Sequence, residues 1–169
     1  MRIFASIVCI AVAFDLMAFD SAEWLEKREL LTREAERLQM AYRNCVANLQ
    51  TPAEDVTVPV EVFEDGSVKL VIHARKAQYF LESGLVWAED VQVKKYKQDG
   101  TLDAQIEAKN CVVDRFSKSG WAEGSATLSH GKTVFNGRGI YFSSPESYVK
   151  VFEDSFINSK DLKFGGLRQ

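Results

Sequence analysis

From Val56 onward the chain alternates apolar and polar residues. Val56, Val58, Val60 and Val62 are followed by Val68, Leu70, Ile72 and Ala74, and later by Leu102, Ala104, Ile106 and Ala108. A period of two places each set on one face of a β-strand. The pattern is also a repeat, because the stretch from Asp65 to Asp90 recurs from Asp99 to Gly124. Asp65-Gly66 becomes Asp99-Gly100, Ala74-Arg75-Lys76-Ala77 becomes Ala108-Lys109-Asn110-Cys111, and Trp87-Ala88-Glu89 becomes Trp121-Ala122-Glu123. Gly131, Phe135, Gly139 and Phe142 keep the spacing of Gly66, Leu70, Ala74 and Ala77 and start a third, degraded unit. Turn residues fall at Asp65-Gly66, Glu82-Ser83-Gly84, Asp99-Gly100, Ser119-Gly120, His130-Gly131 and Ser144-Pro145-Glu146-Ser147. Such spacing predicts an antiparallel meander of long hairpins that bury their faces on one another, with Pro59 marking an edge or first strand because proline cannot donate to a ladder.

Before this region the period changes. From Asp20 to about Gln50 there is neither Gly nor Pro, and Asp20 with Glu23 forms an N-cap pair, so one long helix is predicted. Trp24, Arg28, Leu31, Ala35, Leu38, Tyr42, Cys45 and Leu49 recur with alternating spacings of four and three, a coiled-coil seam flawed only by Arg28. A helix of this length is marginal alone, so the seam must pack on a second copy, on another protein or on the β region. Its narrowness and the charge of the remaining faces favour self-association or a partner, through Trp24, Leu31, Leu38 and Leu49.

The first residues, from Met1 to Phe19, carry one basic residue and then an apolar run broken by Asp15. This reads as an export signal or an inner-membrane anchor; a carboxylate at mid-membrane costs about 2.5 kcal/mol or more, which favours the cleaved signal. The expected organisation is a signal or anchor over 1–19, a charged helix over 20–50, a β domain over 51–157 and a loose tail over 158–169, in a protein outside the cytoplasm.

The chain has 169 residues, 46% of them hydrophobic, which excludes a disordered protein, and a net charge of -3 without a basic face excludes nucleic acid as a partner. Little chemistry is written into it. Only His73 and His130 are present, and His73 falls on the polar side of its strand, where Glu107 replaces it in the next repeat. Glu89, Glu123 and Asp154 recur once per unit, two positions after an aromatic, as a structural rule would have it. Asn136-Gly137-Arg138-Gly139 lacks the residues of a phosphate loop and marks instead a close backbone approach. Neither an enzyme, a cofactor nor a metal site is expected. Cys45 and Cys111 read as buried small hydrophobes, with their pairing open.

The turn, the alternating strand ending in Ala-basic-x-small and the Trp-Ala-Glu step resemble the OstA-like domain of the lipopolysaccharide-transport periplasmic proteins, the LptA/LptC group. The matching residues are Asp65-Gly66, Ala74, Ala77, Tyr79, Trp87 to Val91, Asp99-Gly100, Ala108, Trp121 to Gly124, and Gly137 to Phe142, within residues 56–157. The resemblance implies a mainly β chain, a V-shaped antiparallel β-jellyroll that shields the acyl chains of lipopolysaccharide or a related glycolipid and joins other lipid-export proteins through its sheet edges. The long helix departs from that layout. On this reading Val68, Leu70, Ile72, Ala104, Ile106, Phe135, Ile140 and Phe142 line the inner face, with a bulge near Gly137 or Gly139 because Phe135 and Ile140 differ in parity. The alternative is an envelope adaptor that oligomerises through its helix and binds a partner by its β domain.

Overall fold

The computed structural model describes residues 9–10 and 21–159. One helix, α1 (Ser21–Ala47), precedes seven long strands: β2 (Ala53–Val62), β3 (Val68–Phe80), β4 (Leu85–Tyr96), β5 (Leu102–Asp114), β6 (Ser119–His130), β7 (Thr133–Ser143) and β8 (Tyr148–Ser159). A two-residue strand, β1 (Cys9–Ile10), pairs with β8 at Lys150 and Val149. All belong to one antiparallel sheet in the order β1-β8-β7-β6-β5-β4-β3-β2, so each long strand pairs with its sequence neighbours. The two clear repeats are the hairpins β3–β4 and β5–β6, and the degraded third unit is β7–β8.

The Asp-Gly turns form as their chemistry requires. Asp65 Oδ1 accepts from the Ser67 backbone N–H and Asp99 Oδ1 from that of Thr101, both at 2.9 Å, while Gly66 and Gly100 adopt left-handed conformations. One expected turn is displaced. Ser119-Gly120 lies inside β6, and the chain reverses over residues 115–118, where the Asp114 carboxylate accepts from the Phe116 N–H at 2.8 Å. Gly120 serves packing instead, since a Cβ there would stand 2.3 Å from Phe142 Cζ.

Every repeat contains a bend. Along β3 the inward residues are Leu70, Ile72 and Ala74, then Ala77; along β4 they are Val86 and Ala88, then Val91 and Val93; along β5 Ile106, then Cys111 and Val113. Alternation slips by one residue at each of these places, so both halves of a strand keep their apolar side chains in the same interior. Asp90 has a φ of 49° at the slip in β4. It stands between Arg75 of β3 and Lys109 of β5; Arg75 Nε reaches its carboxylate at 2.5 Å and Lys109 Nζ at 2.7 Å. Gly124, Gly139 and Asp154 take positive φ in β6, β7 and β8. Together they form a line of kinks across the sheet, which includes the expected bulge at Gly137 to Gly139.

Bent along that line, the sheet folds into a jellyroll-like trough whose two halves face each other. Polar contacts between opposite strand ends show the closure. Glu61, near the end of β2, accepts from Lys69 at 2.9 Å and from Ser144, in the β7–β8 turn, at 2.8 Å, and Lys118 of the β5–β6 turn approaches it at 3.4 Å. Lys95, near the end of β4, bonds Ser147 Oγ at 3.1 Å and the Ser144 carbonyl at 3.5 Å.

The helix lies on the outer face of one half. Leu31, Ala35, Leu38 and Cys45 are buried against Leu85, Trp87, Val112, Trp121, Tyr141 and Tyr148, with Trp24, Tyr42 and Leu49 partly buried beside them. This corrects the expectation that the seam is open to a second copy or a partner: the chain's own β4, β5 and β6 occupy it. The large apolar residues of the Trp-Ala-Glu repeats need covering on that face, and a narrow stripe of Leu and Ala fits them. Polar contacts fix the docking. Arg37 bonds Glu34 at 2.7 Å and Asp114 at 2.6 Å, and Ser119 Oγ donates to Glu34 at 3.2 Å. Lys150, buried over the Phe152 ring, donates to Thr32 at 3.0 Å. No helix among the described residues is long and apolar enough to cross a membrane; the expected signal or anchor lies outside the described residues apart from the backbone of Cys9–Ile10, and of the expected loose tail over 158–169 the first two residues belong to β8 while the rest lie outside the described residues.

Candidate binding cavity between the sheet halves

Small side chains near the bend and large ones further out leave the interior incompletely filled. A cavity of about 330 Å³ opens between the halves. Leu70, Val93, Ala104, Ile106, Leu128 and Phe135 form one wall, and Phe142, Val149 and Val151 the other. Lys95, Asp103, His130, Ser144 and Ser147 stand at its polar margin. An apolar interior with a few polar groups at one side is the usual form of a small-ligand site, and the volume lies at the lower end of the range of roughly 300–1,000 Å³ for such sites.

Seven of the eight residues expected on the inner face point inward. Leu70, Ala104, Ile106, Phe135 and Phe142 line the cavity. Ile72 and Ile140 are inward but packed solid in the core, at 1% and 0% exposure. Val68 is the exception: it is the first residue of β3 after a turn, at the corner of the sheet, and is 39% exposed. Val93, Leu128, Val149 and Val151 were not singled out, although each stands in an alternating run. Lys95 and Glu61 gave no sequence signal, because the contacts that define them join strands distant in the sheet.

The margin has a definite electrostatic order. Asp103 pairs with His130 at 3.5 Å and lies 4.0 Å from Lys97. Burial raises the Glu61 pKa, but hydrogen bonds from Lys69 and Ser144 and the charges of Lys69 and Lys118 outweigh it and hold it below the ordinary value. Burial lowers the Lys95 pKa, the nearby carboxylates of Asp103 and Glu61 opposing it.

The remaining singled-out residues lie elsewhere. His73 is on the outer face, its Nδ1 3.0 Å from Thr57 Oγ1. Glu89 pairs with Arg75 at the bend, and Glu123 accepts from Trp121 Nε1 at 2.5 Å. Cys111 belongs to the interior of the trough and Cys45 to the helix side of the sheet, so the sheet separates these two free thiols. Burial pushes the Cys45 thiol up to about 11 and that of Cys111 higher still. Among the described residues no group of three or more His, Cys, Asp or Glu is placed to hold a metal ion.

No protein-family model matches the chain, and no curated protein matches it. What the cavity can hold follows from its shape and lining.

Proposed function

We propose that this protein is a non-enzymatic binder of lipid acyl chains that serves lipopolysaccharide export in the periplasm, with its first residues as signal or inner-membrane anchor. The observation that carries the reading is the apolar cavity between two halves of one bent sheet. A ligand there needs no covalent step. An acyl chain of about twelve carbons moved out of water gains roughly 9 kcal/mol at ~0.8 kcal/mol per methylene, enough for retention by burial alone. The resemblance to the OstA-like domains supports the same ligand class and adds neighbours joined through sheet edges, for which the outer edge of β2 is suited at either side of Pro59.

Strand parity supplies the test. Ile106 lines the cavity, while its neighbour Glu107 is exposed on the outer face. A photo-crosslinking residue at Ile106 captures lipopolysaccharide or a related glycolipid in the envelope, and the same residue at Glu107 does not. Equal labelling at both positions, or none at Ile106, overturns the reading.

A further inference from the structure

We propose that the cavity accepts one acyl chain at a time and that its mouth selects an anionic head group, held by Lys95 and Ser147. The inference rests on the lipid-binding reading and narrows it.

Size limits the chain. A dry cavity of about 150 Å³ holds one benzene ring, so a space of about 330 Å³ has room for roughly a dozen carbons. That is the size of one medium acyl chain.

The head-group preference follows from Lys95. Its stem lines the cavity, and its ammonium meets two neutral oxygens, the Ser147 hydroxyl at 3.1 Å and the Ser144 carbonyl at 3.5 Å. The nearby carboxylates of Glu61 and Asp103 act on it through space, without a hydrogen bond to it, and each has other basic neighbours. Glu61 is shared by Lys69 and Lys118, and Asp103 faces His130 and Lys97. A half-buried ammonium whose hydrogen-bond partners are neutral gains from an arriving anion more than a solvated one does, because part of its hydration is already lost. The Ser147 hydroxyl accepts from Lys95 and can donate its own proton to the same anion. A chain seated against Leu70, Ile106 and Phe135 brings a carboxylate or phosphate to this mouth.

The test uses the full chain with dodecanoate and dodecanol, which share a chain and differ in charge. Titration calorimetry is expected to show one equivalent of dodecanoate bound about ten-fold or more tighter than dodecanol, the gain of a charge-assisted hydrogen bond. Lys95→Gln is expected to remove that difference and leave dodecanol binding within about two-fold, while Lys95→Arg keeps the preference. Equal affinities for the two ligands in the unaltered protein overturn the head-group assignment and leave the acyl-chain site standing. Binding of two or more equivalents overturns the one-chain limit. No binding of either ligand, with no labelling at Ile106, overturns the lipid-binding reading itself. Purified lipopolysaccharide that displaces dodecanoate places the chain and anion in a glycolipid; failure to displace places them in a free fatty acid. The second result overturns the glycolipid part of the proposed function.

Discussion

Ser144 donates a 2.8 Å hydrogen bond to the carboxylate of Glu61 although β3, β4, β5 and β6 all lie between their strands in the sheet. Only a sheet folded back on itself can make that contact, so Glu61 acts as a clasp between the halves. Replacing it by alanine leaves Lys69 and Lys118 without their carboxylate. Glu61→Ala is therefore expected to cost about 2–3 kcal/mol. In a chain of this size that is a fall in Tm of roughly 5–10 °C, read by circular dichroism. An unchanged Tm would show that apolar packing alone closes the trough.

Acid should weaken the same closure and the helix docking together. The hydrogen bond from Arg37 holds the Glu34 carboxyl below its ordinary value, and Lys69, Ser144 and Lys118 hold Glu61 down against its burial. A carboxylate with a depressed pKa in the folded chain binds fewer protons there than in the unfolded chain. The stability it contributes is present above the ordinary value of 4.5 and is lost as pH falls through the folded value. Melting temperature should hold between pH 7 and pH 5 and decline below about pH 4.5, with a shallower decline in Glu61→Gln. A decline that begins near pH 6 would assign the transition to histidine instead.

Two glycines separate steric from conformational demand. Gly137 needs closeness: a Cβ would stand 2.1 Å from Val151 Cγ1 across the β7–β8 pair. Gly66 needs its backbone angle, a φ of +82° with nothing within 4 Å of the added carbon. Gly66→Ala should cost about 1 kcal/mol from left-handed strain. Gly137→Ala should cost more, about 1–3 kcal/mol, as overpacking beside the cavity. Equal denaturant midpoints for the two variants would mean that β8 moves away freely.

Much of this architecture was legible in local pattern. Alternation gave the strands, Asp-Gly pairs gave the turns, and the repeat gave the hairpins, because each depends on residues close in sequence. The Ala-basic-x-small step was visible as well, but its meaning was not. Ala74-Arg75-Lys76-Ala77 is where alternation slips, and Arg75 is spaced to meet Asp90 on the next strand. Inward parity identified seven cavity-side or core residues and failed at Val68, where the strand has only begun. The helix seam is a buried stripe, as its spacing predicts, and here it packs on the chain's own sheet. The sheet face that receives it is built from Trp87, Val112, Trp121 and Tyr141, one or two residues from each of several strands, and no single stretch of sequence displays it.

That surface decides what a charge in the seam would do. Leu38 is fully buried between α1 and the sheet, whereas Leu30 on the same helix is 56% exposed. Even Leu38→Ala should cost about 2–5 kcal/mol, and Leu38→Asp more, since it places an unpaired carboxylate against Trp87 and Trp121. Leu30→Asp should leave the Tm within about 1 °C. The optical signature follows from the same packing: Trp87 and Trp121 are 4% and 3% exposed beneath the helix. Undocking wets both indoles, shifts their emission to the red and bares an apolar face that drives association, seen as a rise in mass by light scattering. A helix that served a second copy would give the opposite pair of results, with a fall in mass and an unaltered emission maximum. Leu38→Asp thus reports whether the seam belongs to this chain's own sheet in solution.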